Sequence, residues 1–416
     1  MAADSFDVVI AGAGMVGSTL ALACAHAGLR SALIDPLAYD ALVAPDFDGR
    51  ASAIAFASLR QWQVLGAAQS MVAEASPIRS ILVTDGRSAG AAGGPPAPLW
   101  LKFDSDEIAQ RGEDEPLGWM IENRHIRAAL AQAVLDAPIE LIAPAAVAAV
   151  ETGPGGASVR LADGRIVRAP LIVGADGRGS VVRKAAGVDV VGWTYPQTGV
   201  VATVAMAEPH GDVAHEYFLP GGPFAILPLT GNRASLVWTE PARRAAALMS
   251  AAPEAFETHL RRRFGEFLGE VRVEGSRFSY PLSLQLASKM IAPRVALVGD
   301  AAHAVHPIAG QGLNLGLKDA AALAEVLAHA ARLGEDLGSV AVLERYARWR
   351  RFDNVMLAAA TDLFNRLFSN NFPPLRAARG LGLAAVDAIG PARRFFMREA
   401  GGAVGDLPRL LRGEPL

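Results

Sequence analysis

Residues 7–35 read DVVIAGAGMVGSTLALACAHAGLRSALID: an apolar strand, a glycine turn, an apolar helix and a second strand that ends in an acid. No other stretch constrains the fold as much, because strand, turn, helix and strand in this order make a βαβ unit. Gly12, Gly14 and Gly17 stand in GxGxxG spacing. Gly12 makes the tight turn, Gly14 lets the backbone approach a pyrophosphate, and Gly17 allows the helix to pack closely on the strand. Met15 and Val16 open the helix, and Asp35 is placed to face an adenosine ribose. Dinucleotide binding is the expectation.

Two further turns repeat the theme of an acid at a strand end. In residues 299–320, GDAAHAVHPIAGQGLNLGLKDA, a short strand (RVALV, 294–298) precedes Asp300, and a long apolar helix follows the glycines. Gly310 and Gly312 permit a path with positive φ that brings backbone N–H groups near a ligand, and the helix start adds a positive dipole there. Such a site, at the start of a helix that continues through Gln311, Leu313 and Asn314, suits a ring that accumulates negative charge, as reduced flavin does. Asp300 is placed to accept hydrogen bonds from sugar or ribityl hydroxyls. The third turn is LIVGADGRGSVVR (171–183), with Asp176 at a strand terminus; alone, it would be an ordinary Asp-Gly turn.

Together and in this order, the three fingerprints resemble those of the group A flavoprotein monooxygenases, the para-hydroxybenzoate hydroxylase type. Residues 48–66 (DGRASAIAFASLRQWQVLG), 122–130 (ENRHIRAAL), 215–229 (HEYFLPGGPFAILPL) and 397–413 (MREAGGAVGDLPRLLRG) further resemble segments of the ubiquinone-biosynthesis hydroxylases, nearly end to end. The resemblance implies FAD, with its ADP half on Gly12, Gly14, Gly17 and Asp35, and with Arg50 and Arg124 along the cofactor. Asp300 would hold the ribityl chain, and Gly310, Gly312, Leu313 and Asn314 would edge the isoalloxazine. Asp176 would serve both the FAD pyrophosphate and NAD(P)H, and the loop Pro307, Ile308, Ala309 would face flavin and substrate. Asp35 departs from the glutamate more usual in the family, but a shorter carboxylate still accepts from a ribose. The implied reaction is flavin-borne and needs no side-chain nucleophile: NAD(P)H reduces FAD, O2 forms a C4a-hydroperoxide, and its distal oxygen passes to an aromatic carbon. The implied substrate is a polyprenylated phenol on the way to ubiquinone. A flavin-dependent reductase of prenyl double bonds and a non-catalytic flavin-binding scaffold of a quinone-synthesis complex remain as alternatives.

Composition narrows the field around this reading. The chain has 39 basic and 42 acidic residues and no basic stripe interleaved with aromatics, which argues against nucleic acid. A single cysteine, Cys24, rules out an internal disulfide and a CxxC redox pair, and with them the disulfide-reductase flavoproteins. HExxH and GxSxG are absent. His303 and His306 lie in a turn with no acid or cysteine at matching spacing, so no metal is expected. Acids precede the first apolar run and glycines interrupt it, which is unlike a signal peptide, and no run is long enough to cross a bilayer. A cytoplasmic location follows as the expectation.

The fold expected is α/β: a Rossmann-like FAD-binding domain, a second mostly antiparallel β-sheet substrate domain, and C-terminal helices. The FAD-binding domain is expected to be discontinuous, over 1–75, 105–186 and 287–350, with the substrate sheet in 76–104 and 187–286 and the helical region in 351–416. Within this frame 53–65 reads as a helix, 78–84 as a strand, 90–98 as a loop, and three short strands near 141, 147–151 and 157–161 as an insert. Helices are expected over 340–369, 375–389 and 393–400. Phe218, Phe224, Leu227, Pro228 and Trp238 offer an apolar lining for a ring with a prenyl tail, although each singly reads as plain sheet core. Apolar residues and an excess of arginine after residue 362, including Leu363, Phe364, Phe395, Phe396 and Met397, suit packing on the chain's own domain, peripheral membrane contact or a partner in a biosynthetic complex.

Overall fold

Parallel strands buried on both faces need continuous apolar runs rather than alternation, and VVIA, SALI and LIVG supply them. In the computed structural model, which describes residues 6–44, 50–84, 100–107, 115–265, 267–306, 310–368, 402 and 405–416, these runs form the centre of a six-stranded sheet. Its order is Ile291–Ala292, Val295–Leu297, Leu171–Gly174, Val8–Ala11, Ser31–Ile34, Ile139–Ile142. All pairs are parallel except the one at the Ile291–Ala292 edge. Neighbouring strands thus come from distant stretches of sequence, and every parallel strand ends on the same side.

The pleat divides the central strand between two layers. Val8 and Ile10 point to the helices Met15–His26, Asn123–Asp136 and Gln311–Arg332, where Leu20, Ile126, Leu130, Leu323 and Leu327 close a large core. Val9 and Ala11 point the other way, onto Val159, Leu161 and Val167 of a three-stranded sheet formed by Val147–Gly153, Gly156–Leu161 and Ile166–Ala169. That sheet is the expected three-stranded insert with one member exchanged: the strand read near 141 pairs with Ser31–Ile34 in the six-stranded sheet, and Ile166–Ala169 takes its place. Cys24 is buried in the helix layer, and desolvation pushes its thiol up to about 12, so it behaves as a small apolar side chain.

An eight-stranded sheet faces this assembly. Its order is His303–Ala304, Val271–Ala287, Val190–Met206, Arg233–Pro241, Gly222–Leu229, Val213–Leu219, Ser80–Thr84, Trp100–Asp104. Only the pair Val213–Leu219 with Ser80–Thr84 is parallel. Helices Ala242–Ser250 and Pro253–Phe264 cover one face. The other face meets a small sheet of Ala51–Ala55, Gly118–Glu122 and Ala75–Ile78, which stands between the two large sheets.

Two local expectations change. The segment read as helix from residue 53 begins as the strand Ala51–Ala55 and turns helical only over Phe56–Val64. Alanine favours helix, but here pairing with Gly118–Glu122 and two hydrogen bonds shared with Asn314, one donated and one accepted by its side chain, override it. The strand read over 78–84 is two strands in different sheets, Ala75–Ile78 and Ser80–Thr84, which part at Arg79, whose N–H donates to Asp212 O at 2.9 Å. The helix Val340–Phe368 is present as expected. The loop 90–98 and the helices read over 375–389 and 393–400, with Phe395, Phe396 and Met397, lie outside the described residues.

Candidate functional site

The glycines of the first turn divide the work as their spacing suggests. Gly12 has φ +105°, and its N–H donates to Ile34 O at 2.7 Å. A Cβ on Gly12 would lie 2.4 Å from Ala175 O, and one on Gly17 would lie 1.9 Å from Gly12 O. Gly14 differs: a Cβ there meets nothing within 4 Å, and it caps the Met15–His26 helix with no side-chain hydrogen bond. The first N–H groups of this helix therefore face open space. Beside them is a cavity of about 180 Å³ lined by Ala13, Gly14, Met15, Asp35, Arg127 and Leu130, among others. Val16 turns away from it and wedges against Gly299 and Gly316, a glycine the sequence reading passed over.

Asp35 is buried on the wall of this cavity, but its carboxylate is already engaged. One oxygen accepts from Ala13 N–H at 2.7 Å and the other from Leu37 N–H at 2.9 Å. It braces the glycine turn as well as bordering the space where a ribose was expected.

The second and third turns are joined by a residue the sequence reading missed. Arg183 is buried and donates to Ala301 O at 2.8 Å and Arg178 O at 2.7 Å, tying the Asp176 turn to the Asp300 turn. Asp176 caps the short helix Val181–Ala185: one oxygen accepts from the N–H groups of Val181 (2.7 Å) and Val182 (3.2 Å), and the other is buried without a partner. Asp300 is exposed and pairs with Arg178 at 3.3 Å, a contact worth at most about 1 kcal/mol at such exposure. A ligand hydroxyl can compete for it at little cost.

The Gly310 turn, later in the second segment, is held from behind. Gly310 takes φ +63° as the cap of Gln311–Arg332, and a Cβ there would approach Ala53 Cβ to 3.1 Å. Asn314 is buried, donating to Ala53 O at 2.8 Å and accepting from Ala55 N–H at 2.9 Å, so it fixes the small sheet to the helix start. Gly312 and Leu313 follow in the first turn of the same helix. One turn further on, Asp319 is fully buried and accepts from Gly299 N–H at 3.1 Å, from His303 Nε2, and from Arg350 Nε at 2.9 Å. Burial would raise its pKa, but His303 and Arg350 outweigh that and hold the carboxyl below its ordinary value. Gly12, Asp35, Asp176 and Asp300 thus all stand where parallel strands end, one after another along a single edge of the six-stranded sheet.

Comparison with known proteins agrees with this geometry. Residues 5–353 match the FAD binding domain family. The chain is 46% identical to the ubiquinone hydroxylase UbiL of Rhodospirillum rubrum over 99% of its own length and 93% of that protein. It is 36% identical to the 3-demethoxyubiquinol 3-hydroxylase of Escherichia coli, covering 95% of this chain and 98% of that one. The crystal structure of PqsL, a probable FAD-dependent monooxygenase from Pseudomonas aeruginosa, superposes with a TM-score of 0.74 at 25% identity, over 92% of this chain and all of that one. The chain belongs to the ubiquinone-biosynthesis FAD hydroxylase family.

The residues present suit the cofactor of that family. An uncapped helix start beside an open glycine, with a cavity next to it, has the donors and the room for a pyrophosphate. Orphaned polar atoms lie nearby in sequence motifs assigned to the cofactor: the second oxygen of Asp176 and Nε of Arg124, both buried and unpartnered. Arg124 otherwise pairs with Glu122 at 3.1 Å, and Arg50 stacks its guanidinium over Tyr280 at 4.8 Å. Gln311 lies in the first turn of its helix; Pro307, Ile308 and Ala309 lie outside the described residues.

The five residues read as a substrate lining are not brought together. Strand alternation sends Phe224, Pro228 and Trp238 to the face covered by Pro253–Phe264, where Phe224 and Trp238 pack edge-on at 5.8 Å with Phe256 and Phe264 in a closed core. That corrects the expectation for these three. Leu227 takes the opposite face and packs toward Ala51 and Ala53, and Phe218 stacks on Phe368 at 4.2 Å. His303 and His306 also part: His303 serves Asp319, while His306 is buried edge-on against Tyr195 at 5.1 Å with both ring nitrogens unpartnered. Desolvation pushes His306 down to about 4, so it is neutral at pH 7.

Proposed function

We propose that this chain is an NAD(P)H- and O2-dependent flavin monooxygenase that hydroxylates the aromatic ring of a polyprenylated phenol in ubiquinone biosynthesis. One observation carries the reading: the glycine turn, the Asp176 turn and the Asp300 turn stand on one sheet edge, in a chain whose relatives along nearly its whole length are named a ubiquinone hydroxylase and a 3-demethoxyubiquinol 3-hydroxylase. In this reading Gly12, Gly14, Met15, Val16, Gly17 and Asp35 form the seat of the ADP half of FAD. Arg50, Arg124 and Asp176 lie along the cofactor, and Asp300 with Gly310, Gln311, Gly312, Leu313 and Asn314 borders its reactive end. Bound FAD supplies electron transfer from NAD(P)H and the activation of O2.

The protein's own part is placement and exclusion. The Asn314 bonds to Ala53 and Ala55 and the Asp319 bond to Gly299 keep the helix start and the Asp300 turn in register, so donors do not reorganise as charge develops. In this reading the eight-stranded sheet serves to keep water from the reacting centre. A division of the chain into an FAD-binding domain (1–75, 105–186, 287–350), a substrate sheet (76–104, 187–286) and a C-terminal region (351–416) goes with this reading. No helix among the described residues is long and apolar enough to cross a membrane. The exposed stripe Phe352, Val355, Met356 and Leu363 on the Val340–Phe368 helix suits peripheral contact with a membrane or a biosynthetic complex, from which a prenylated substrate would be drawn.

Deleting the gene and profiling lipid-extracted quinone intermediates by mass spectrometry tests the reading. A precursor lacking one oxygen should accumulate. Unchanged ubiquinone with no precursor would count against it.

A further inference from the structure

We propose that Glu216 receives the hydroxyl of the bound aromatic ring and takes its proton when the ring is activated, an assignment that rests on the hydroxylase reading above. Strand alternation fixes the direction in which this side chain points. On Val213–Leu219, Ala214, Glu216 and Phe218 share one face, and His215, Tyr217 and Leu219 share the other. The second set is spoken for: Tyr217 stacks on Phe224 in the core beneath Pro253–Phe264, and His215 meets Phe267. The first set looks away from those helices. Ala214 packs with Met120 and Leu229 next to Ala51, Ala53 and Leu227. Ala53 in turn touches the Gly310 position and is bonded to Asn314. Glu216 therefore lies on the face of the eight-stranded sheet that is turned toward the Gly310 helix start.

Among the described residues, its surroundings give a carboxyl nothing to bind. Its cross-strand neighbours are Ala225 and Val83. The adjoining strands present Ile81, Leu101, Phe103 and Leu227 to the same face, and Phe368 of the Val340–Phe368 helix packs on Phe218. None of these is titratable. The charged pair of the edge strand, Lys102 and Asp104, lies on the opposite face and is mutually bonded at 2.7 Å. No hydrogen bond or ion pair to Glu216 is present among the described residues. The other acids in and around the site contrast with this: Asp35, Asp176, Asp300 and Asp319 all accept from protein donors. An unpaired carboxyl in apolar surroundings is costly and marks a group kept for a ligand. Burial also pushes Glu216 up to about 8, toward the range of a phenol and within reach of neutral pH.

The step balances without a redox partner. The ring O–H bond breaks, an O–H bond forms on a Glu216 carboxylate oxygen, and the electron pair stays on the ring oxygen. From there it raises electron density at the ring carbons ortho and para to it, which are the positions open to an electrophilic oxygen.

The test uses the full-length, FAD-loaded enzyme with a short-chain prenyl phenol as probe, comparing wild type with Glu216→Gln and Glu216→Leu. Binding of the probe is followed by the flavin absorbance change across pH, ionisation of the bound probe by its phenolate ultraviolet band, and turnover by phenol-dependent O2 uptake. Wild type should show a phenolate band at lower pH than the free probe. Glu216→Gln should still bind the probe, lose kcat by about a hundredfold or more, and lose the pH dependence of that step. Glu216→Leu should raise KM as well. Wild-type kcat, KM and pH profile in Glu216→Gln would overturn the assignment, as would a bound probe in wild type that ionises like the free one, a readout independent of how the variants fold. If wild type shows no phenol-dependent O2 uptake at all, the hydroxylase reading fails first and takes this assignment with it.

Discussion

The sheet edge that carries the three turns and the sheet face that carries Glu216 are organised in opposite ways. Along the edge, polar side chains find protein donors: Asp35 holds the glycine loop, Asn314 the small sheet, and Asp319 the Asp300 turn, His303 and Arg350. On the face, Glu216 stands among Val83, Ala225, Leu101 and Phe218 with no bond of its own among the described residues. The difference teaches where rigidity is needed. A cofactor that stays bound is best met by preformed, satisfied geometry, whereas a ring that enters and leaves must find one group still free to bind it.

The largest effects should come from breaking the satisfied edge. Asp319→Leu takes the buried acceptor away from His303 and Arg350, leaving Arg350 only its Asp353 and Asn354 contacts, and should cost about 3–5 kcal/mol of stability, read by denaturant unfolding. Gly17→Ala forces a Cβ against Gly12 O and should cost about 1–3 kcal/mol or more, with FAD lost from the purified protein as judged by flavin absorbance. Gly14→Ala, whose Cβ meets open space, should fold normally. Trp238→Phe removes the indole bond to Glu240 and should lower stability by about 1–3 kcal/mol while leaving KM for the phenol unchanged, since Trp238 lies on the helix-covered face.

The effect at Glu216 has a sign that only the unpaired face can produce. A carboxyl whose pKa is raised on folding, from 4.5 to about 8, makes the folded state progressively less stable as pH rises through that interval. Glu216→Leu should therefore melt higher than wild type, with the gap small below about pH 4.5 and widening toward about pH 8. A gap that narrows with rising pH would mean that Glu216 has a stabilising partner.

What the sequence made legible follows the same division. The glycine turns could be read because their conformational demands are local: φ +105° at Gly12 and +63° at Gly310 are positions that glycine takes freely. Ala51–Ala55 could not be read as a strand, since its alanines favour helix and its pairing is decided by Asn314, far away in sequence. Arg183 and Asp319 were hidden because each sits beside a lysine, Lys184 and Lys318, and the sequence does not tell the buried charge from its less buried neighbour. The substrate face was the least legible. Phe224 and Leu227 look alike as apolar strand residues, and only the register, together with the helices that cover one side, separates core from lining.

The central claim, ring hydroxylation by a flavin enzyme, is tested most directly by turnover of the purified FAD-loaded protein with NAD(P)H, a short-chain prenyl phenol and isotopically labelled O2. The account requires one labelled oxygen atom in the ring of each product molecule and O2 uptake that matches product formed. Product with a reduced prenyl double bond and no label, or NAD(P)H oxidation with an unchanged phenol, would contradict it.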